Sequence, residues 1–281
     1  MSFSNQLKTA ALLGLLTVIL LIIGGFIGGE TGLMVGFVFA LIINFFSYWF
    51  SDKIVLMLYR AHEAKKGEHP RLFKIVERVR ERFGLPMPRV YIIHNPSPNA
   101  FATGRNAKHA AVAVTTGILH LLDDEELEGV IAHEFSHIKN NDILVASIAA
   151  VIAGTIAYLA MIVRYSALFR RDGEKGPGLL ELIVIGIITP IIAVIVQLAI
   201  SRSREFLADE TAARTLREHK GLANALAKLE TGIAAKPMVE ANTGTAHLFI
   251  ANPFSAKGVI GFFSTHPAMG DRIAKLEKLR Y

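Results

Sequence analysis

The chain contains no cysteine among its 281 residues. Disulfides and thiolate metal sites are therefore excluded, and any zinc must be held by histidine and carboxylate side chains. The absence leaves the compartment open. Charge is also missing over a long stretch: between Thr9 and Phe50 the only ionisable side chain is Glu30. At about 1.5 Å per residue that run makes roughly 60 Å of helix, twice a bilayer core. Two helices over about 9–29 and 31–50 are predicted, turning at Gly28-Gly29-Glu30-Thr31-Gly32. No A-x-A-like cleavage site follows the first helix and a second span does, so it reads as a signal anchor. A Gly-rich phosphate loop is absent, and so is any interleaving of aromatic and basic residues. The formal charge of +6 is therefore assigned to the basic bias of cytoplasmic loops in a membrane protein, with no nucleic acid as partner.

With 52% apolar residues, the chain is too hydrophobic for an ordinary soluble domain. Its length has room for one catalytic domain and several membrane spans. The short first loop lacks Lys and Arg, whereas Lys53, Arg60, Lys65 and Lys66 follow the second span. That asymmetry puts Met1 and Ser51 on the cytoplasmic side. Trp49 and Tyr48 suit the membrane interface. Gly24, Gly28, Gly32 and Gly36 recur every four residues, as a close-packing face or as small residues at a hairpin tip. The stripe crosses the proposed turn, which favours the tip.

Residues 143–163 and 180–200 are two further apolar stretches of spanning length. Pro190 predicts a kink in the second of these, and Gln197 reads as a helix–helix contact in preference to a cavity residue. If both cross, the loop between them carries Arg164, Arg170, Arg171 and Lys175 on the wrong side for the basic bias. Either the hairpin is an exception forced by the first pair, which is preferred, or the two stretches do not both cross fully.

Between the membrane stretches, residues 69–83 have helical spacing, with Leu72, Ile75, Val76 and Val79 on one face and Gly84 at the end. Residues 89–94, 99–104 and 110–116 read as strands. An edge strand near a metal helix can present its backbone to an extended peptide. An internal hairpin without a ligand explains the same pattern equally well. Residues 221–233 and 269–279 read as helices, and 238–244 as a mobile loop.

The chemistry concentrates in residues 130–142, VIAHEFSHIKNND, preceded by Asp123, Asp124, Glu125 and Glu126, which suit a helix N-terminus. On a helix His133 and His137 stand on one face, four residues apart. Two imidazoles and one carboxylate suit zinc, with a fourth position left for water. Glu134 lies beside them, placed to take a proton from the attacking water. Further on, in SRSREFLADETAA, Glu205 and Asp209 are again four apart. Glu205 can supply the third ligand, and Asp209 can accept the outer N–H of a ligating imidazole, His133 first among them. Taken alone, the pair is better explained as a solvated face neutralised by Arg202, Arg204 and Arg214. Joined to the H-E-x-x-H motif, the metal reading prevails.

HEFSH followed by a helical hairpin and SRSREFLADETAA resembles the HtpX-type membrane zinc metalloproteases. These are bacterial stress-response proteases related to the eukaryotic CAAX prenyl proteases. The likeness extends to NAFATG at 99–104, HLFIANPF at 247–254 and STHPAMGDRI at 264–273, and so takes in nearly the whole chain. It implies one Zn2+ per chain on His133, His137 and Glu205, with Glu134 as general base and Asp209 behind a ligand. It further implies that Asn99, Ala100, Phe101, Ala102 and Thr103 form the strand that holds substrate backbone. His266 would stabilise the oxyanion and Arg272 would help position it. On residues alone, His266 before Pro267 reads as structural, and His62, His69, His94, His109, His120, His219 and His247 read as ordinary.

The expected fold class is mainly α: a multi-span helical membrane protein carrying a zincin-like (gluzincin) α+β catalytic domain. The expected parts are a membrane hairpin at 1–50, a first catalytic part at 51–142, a second membrane hairpin at 143–200 and a second catalytic part at 201–281. The expected activity is zinc-dependent endopeptidase cleavage of misfolded or damaged membrane proteins, in quality control and stress response. The apolar stretches make it multi-pass and the basic bias puts the catalytic domain on the cytoplasmic side, in a bacterial inner membrane as the resemblance implies. The lipid bilayer is a partner, and self-association into a homo-oligomer is left open. The alternatives are a dedicated processing protease of the prenyl type and a non-enzymatic metal-binding membrane protein. The latter predicts polar residues spread through the spans, which hold few.

Overall fold

A computed structural model of the chain describes residues 3–167, 202–238, 245–253 and 267–280. Helix α1 (Phe3–Trp49) is two arms, because the backbone leaves helical geometry at Gly28 (φ −135°, ψ 18°) and Gly29 (φ 57°, ψ −137°). The arms, Ser4–Gly25 and Gly28–Trp49, are each 22 residues, long and apolar enough to cross a membrane. The break falls at the start of the predicted turn. The glycine stripe proves to be a packing face as well as a tip. A Cβ on Gly24 would lie 2.2 Å from the Gly32 carbonyl oxygen, and one on Gly36 would lie 2.7 Å from that of Leu20. Gly28, at the turn, meets nothing within 4 Å. The arms are further tied by the Asn44 amide, which donates to Thr17 Oγ1 at 2.8 Å. The second arm leaves Met34, Val35, Val38, Phe39, Phe45 and Trp49 exposed, an apolar face larger than isolated surface residues explain.

Helix α2 (Ser51–Leu58) leads into β1 (His62–Glu63) and α3 (Pro70–Phe83). Proline opens α3, and Gly84, at φ 63°, closes it in the left-handed conformation that glycine takes without strain. Strands β2 (Arg89–Ile93), β3 (Ala100–Gly104) and β4 (Ala110–Thr115) complete a sheet of order β1-β2-β4-β3. β2 and β4 are parallel, and β3 pairs antiparallel with β4 as an edge strand. The sequence had Thr116 ending the last strand. Instead it opens α4 (Thr116–Leu121), because the Thr115 hydroxyl accepts the Ile118 N–H as an N-cap.

Helix α5 (Asp124–Lys139) carries the H-E-x-x-H motif. Asp123 and Glu126 form a reciprocal capping box, each side chain accepting the other's backbone N–H at 3.0 Å. Three acids in the first turn suit the positive end of the helix dipole. α5 is central: it packs against α3, β3, α7 (Arg202–Leu216) and α8 (Lys220–Ala235). Where α5 meets α8, a Cβ on Gly129 would sit 2.6 Å from the Leu222 nitrogen. Val76, Val79, Val130, Ile131, Phe135, Leu226 and Leu229 share one core with Leu276 of α9 (Met269–Leu276). Each such side chain contributes about 1.5–3 kcal/mol by leaving water. The chain before residue 143 and after residue 201 thus shares a single core. α6 (Asp142–Ala167) starts at the end of α5 and lays Leu144, Ile148 and Ile152 on Leu12, Leu16 and Ile19 of the first arm. The predicted span at 180–200 with Pro190 and Gln197, the basic loop beyond Ala167, the loop at 239–244 and His266 lie outside the described residues.

Candidate metal centre

One turn of α5 separates His133 from His137, and their Nε2 atoms converge to 3.1 Å. α7 crosses α5 so that Glu205, in its first turn, presents both carboxylate oxygens. Oε2 lies 3.6 Å from His133 Nε2, and Oε1 lies 3.6 Å from His137 Nε2. The three side chains could together hold a metal ion. Each imidazole turns its other nitrogen to a different carboxylate. His133 Nδ1 lies 2.9 Å from Asp209 Oδ1, and His137 Nδ1 lies 3.4 Å from Asp142 Oδ2. Such outer carboxylates fix the tautomer, leaving Nε2 as the donor.

Asp209 is held in turn by Arg272, whose Nε and Nη2 donate to its two oxygens at 2.8 and 2.7 Å. Arg272 is fully buried, and its Nη1 donates to the Ile250 carbonyl at 2.8 Å. Its Nη2 also comes within 3.3 Å of His133 Nδ1. That approach is not a hydrogen bond, since His133 Nδ1–H and the guanidinium both donate to Asp209. The exposed-face explanation of Glu205 and Asp209 therefore fails: both are buried, Arg214 pairs with Glu210 instead, and the counter-charge comes from Arg272.

Electrostatics differ sharply across the site. Burial, aided by Arg272, lowers His133 to about 4. Burial also opposes charge on His137, but Asp142, Glu205 and Glu134 outweigh it and raise the group to about 9. Burial would raise Asp209, yet Arg272 and His133 hold it down at about 2. Burial raises Glu134 to about 7, with Glu205 adding to the effect. Its Oε1 has no hydrogen-bond partner among the described residues. Glu134 lines a cleft together with His133, His137, Glu205, Ala102 and His247.

The strand expected to hold substrate is distributed unevenly about this cleft. Ala102 lines it. On either side, the outer edge of β3 is occupied: Ala100 O accepts the Ile250 N–H at 3.0 Å, and Gly104 N donates to Ser147 Oγ at 3.3 Å. Asn99 is buried, its amide donating to Ala251 O at 2.8 Å. Phe101 packs on Tyr59 and Phe249, and Thr103 bonds Ser147. Sequence reasoning missed Asp142, Arg204 and Asn5, which cluster behind His137. It also set aside His247, which lies in the cleft with Nε2 donating to Ala146 O at 3.0 Å. For Asp142 a signal existed, a carboxylate five residues beyond the second motif histidine.

A family model described as Peptidase family M48 matches residues 66–280, a span that contains every side chain of this centre. The chain belongs to peptidase family M48. Curated relatives extend the M48 match into the N-terminal arms. A "Protease HtpX homolog" of Syntrophobacter fumaroxidans is 47% identical over 280 residues, covering 98% of this chain and 99% of that protein. One of Thermodesulfovibrio yellowstonii is 51% identical over 278 residues, covering 98% of each. One of Pyrococcus furiosus is 48% identical over 281 residues, covering 99% and 97%. Among solved structures, the crystal structure of S. mikatae Ste24p superposes with a TM-score of 0.52 at 18% identity, over 97% of this chain and 65% of that one. That likeness concerns the fold. The HtpX resemblance in the motifs is thus upheld over nearly the full chain, and this M48 member is a protease.

Proposed function

We propose that this M48 protease is a zinc-dependent integral membrane endopeptidase that cleaves misfolded or damaged membrane proteins. The observation that carries the reading is the convergence of His133, His137 and Glu205 beside a buried Glu134 whose Oε1 has no hydrogen-bond partner among the described residues, all in one cleft. The donor set fits zinc. Two imidazole nitrogens bound tetrahedrally to one zinc ion stand about 3.3 Å apart, close to what the two histidines already show. Zinc held by these three residues would polarise the scissile carbonyl and acidify the attacking water.

The chain's own residues supply the rest. Glu134, held above the usual carboxylate range by burial, takes the water's proton and returns it to the leaving amine. Asp209 and Asp142 hold the two imidazoles with Nε2 toward the site. Arg272 keeps Asp209 ionised. Ala102 lines the cleft on the β3 edge; its N–H is directed to Glu134, and its carbonyl is the backbone group offered to an extended substrate in this reading. His266 stabilises the oxyanion in this reading, with Arg272 acting through Asp209.

Membrane embedding is supported by the two apolar arms and the exposed face of the second. The remaining assignments are carried from the sequence: the apolar stretches give membrane hairpins at 1–50 and 143–200 flanking catalytic parts at 51–142 and 201–281, the basic bias puts the site on the cytoplasmic side, and the resemblance adds the bacterial inner membrane. A substrate screen tests the reading. Purified protein with zinc is incubated with several unrelated membrane proteins, each folded and destabilised. Cleavage of the destabilised forms across the set supports quality control. Cleavage confined to one lipidated peptide would replace it with dedicated processing.

A further inference from the structure

Asn5 stands in the first turn of α1, 3% exposed, and reaches the back of the metal centre. Its amide nitrogen lies 3.2 Å from each of three acceptors: the carbonyls of Asn140 and Asn141 and Oδ1 of Asp142. Its carbonyl oxygen accepts from Arg204 Nη2 at 2.6 Å. Arg204 Nε is also 3.6 Å from Asp142 Oδ1. The other oxygen of Asp142 faces His137 Nδ1. The chain turns sharply here, with Asn141 at φ 58°, and Asn140 is the C-cap of α5. Asn5 caps that end from 135 residues away.

We propose that Asn5, Asp142 and Arg204 form a latch through which the first membrane arm positions His137. The inference rests on the metal reading above. Asp142 is to His137 what Asp209 is to His133, but its support differs. Asp209 is locked by a buried arginine from the catalytic body. Asp142 is held by Asn5, from the arm, and by Arg204, from α7. The arm is thus a structural part of the centre as well as an anchor. A displacement of its first turn would remove the Asn5 support from Asp142, leaving Arg204 to hold it, and loosen one ligand of three while His133 and Glu205 stay in place. Asn5, Asp142 and Arg204 are positioning residues: Asp142 and Arg204 line the cleft, but the group that could hold the metal is His133, His137 and Glu205.

Release of zinc into excess chelator tests the latch, followed in the full chain in detergent. Asp142→Asn is expected to speed release about 10- to 100-fold, the usual effect of losing an outer partner of a ligand. Asn5→Ala, one contact further out, should act at the low end, about tenfold. Because both act through one path, the double variant should release no faster than Asp142→Asn alone. Asn44→Ala, which removes a hydrogen bond between the arms away from the centre, should release at the wild-type rate. If Asn5→Ala does not fold, Asn5→Ser carries the same expectation. Wild-type release from the Asn5 variant, or effects that multiply in the double variant, would overturn the latch. His137→Ala separates the two levels. If it retains zinc as the wild type does, the metal assignment itself fails; if it loses zinc while Asn5→Ala keeps it, only the latch fails.

Discussion

Replacing Arg272 by methionine keeps much of the side chain's length but removes the guanidinium that faces Asp209. Both partners are buried, and the carboxylate carries two charge-assisted bonds from this arginine. Removing one member of a buried pair leaves the other charged and unmatched, at about 3–5 kcal/mol. The Ile250 carbonyl loses its donor as well, which pushes the loss to the upper part of that range. For a chain of this size the loss corresponds to a fall in Tm of roughly 6–20 °C. The exposed pair of Arg214 with Glu210 is the reference, and Arg214→Gln should shift Tm by about 2 °C or less.

The pH dependence of this gap carries a sign. Asp209 is held at about 2 against an ordinary 3.8, so the native pair contributes full stability above the ordinary value and loses it as pH falls through about 2. Without Arg272, burial prevails and raises the group, so the variant suffers most at neutral pH and is relieved on protonation. The difference in Tm should therefore be largest near neutrality and shrink in acid. Thermal unfolding of metal-free protein in detergent, read from pH 3 to pH 8, provides the assay. A variant within about 2 °C of wild type at neutral pH, or a gap that widens in acid, would refute the reasoning.

Three further outcomes follow from other parts of the molecule. The acid limb of kcat/KM should report Glu134, which must be ionised to accept a proton: the rate falls as pH drops, with an apparent pKa between the ordinary 4.5 and about 7, since a bound dication pulls the buried group down. A limb absent from that window would remove Glu134 from the base role. Gly24→Val should break the hairpin of the arms, because its Cβ would meet the Gly32 carbonyl at 2.2 Å, whereas Gly28→Ala should be tolerated, with open space around it; protease resistance of the arms in detergent distinguishes them. Gly129→Ala should destabilise the catalytic body by about 1–3 kcal/mol through overpacking against the Leu222 backbone, seen as a lower Tm with unchanged helix content at low temperature.

What the sequence revealed was mostly local. A helix repeats every 3.6 residues, so His133 with His137 and Glu205 with Asp209 could be placed on shared faces without knowing what lay opposite. The capping acids of α5, Gly84 at the end of α3 and the three strands were legible for the same reason: each signal lies within a few residues of its effect. Thr116 was misread because a threonine pair after a β-branched run suits a strand, while the deciding bond, Thr115 Oγ1 to Ile118 N–H, acts as a helix cap. Contacts across the chain were out of reach. Nothing within residues 264–273 marks Arg272 as the buried partner of a carboxylate 63 positions earlier. Likewise, one asparagine in the first turn of an apolar arm gives no hint that Asp142 waits 137 positions on. The glycine stripe lay between these cases: the spacing was visible, but only the fold of the two arms showed that the turn at Gly28 and the contact at Gly24 and Gly32 coexist.

The central claim is that His133, His137 and Glu205 hold zinc while Glu134 performs the proton transfer. Bound zinc and peptide cleavage, measured side by side on purified wild type and Glu134→Ala in detergent, test it most directly. The account predicts about one zinc per chain in both proteins and cleavage by the wild type alone. Absence of zinc from the wild type, or cleavage by Glu134→Ala at the wild-type rate, would contradict it.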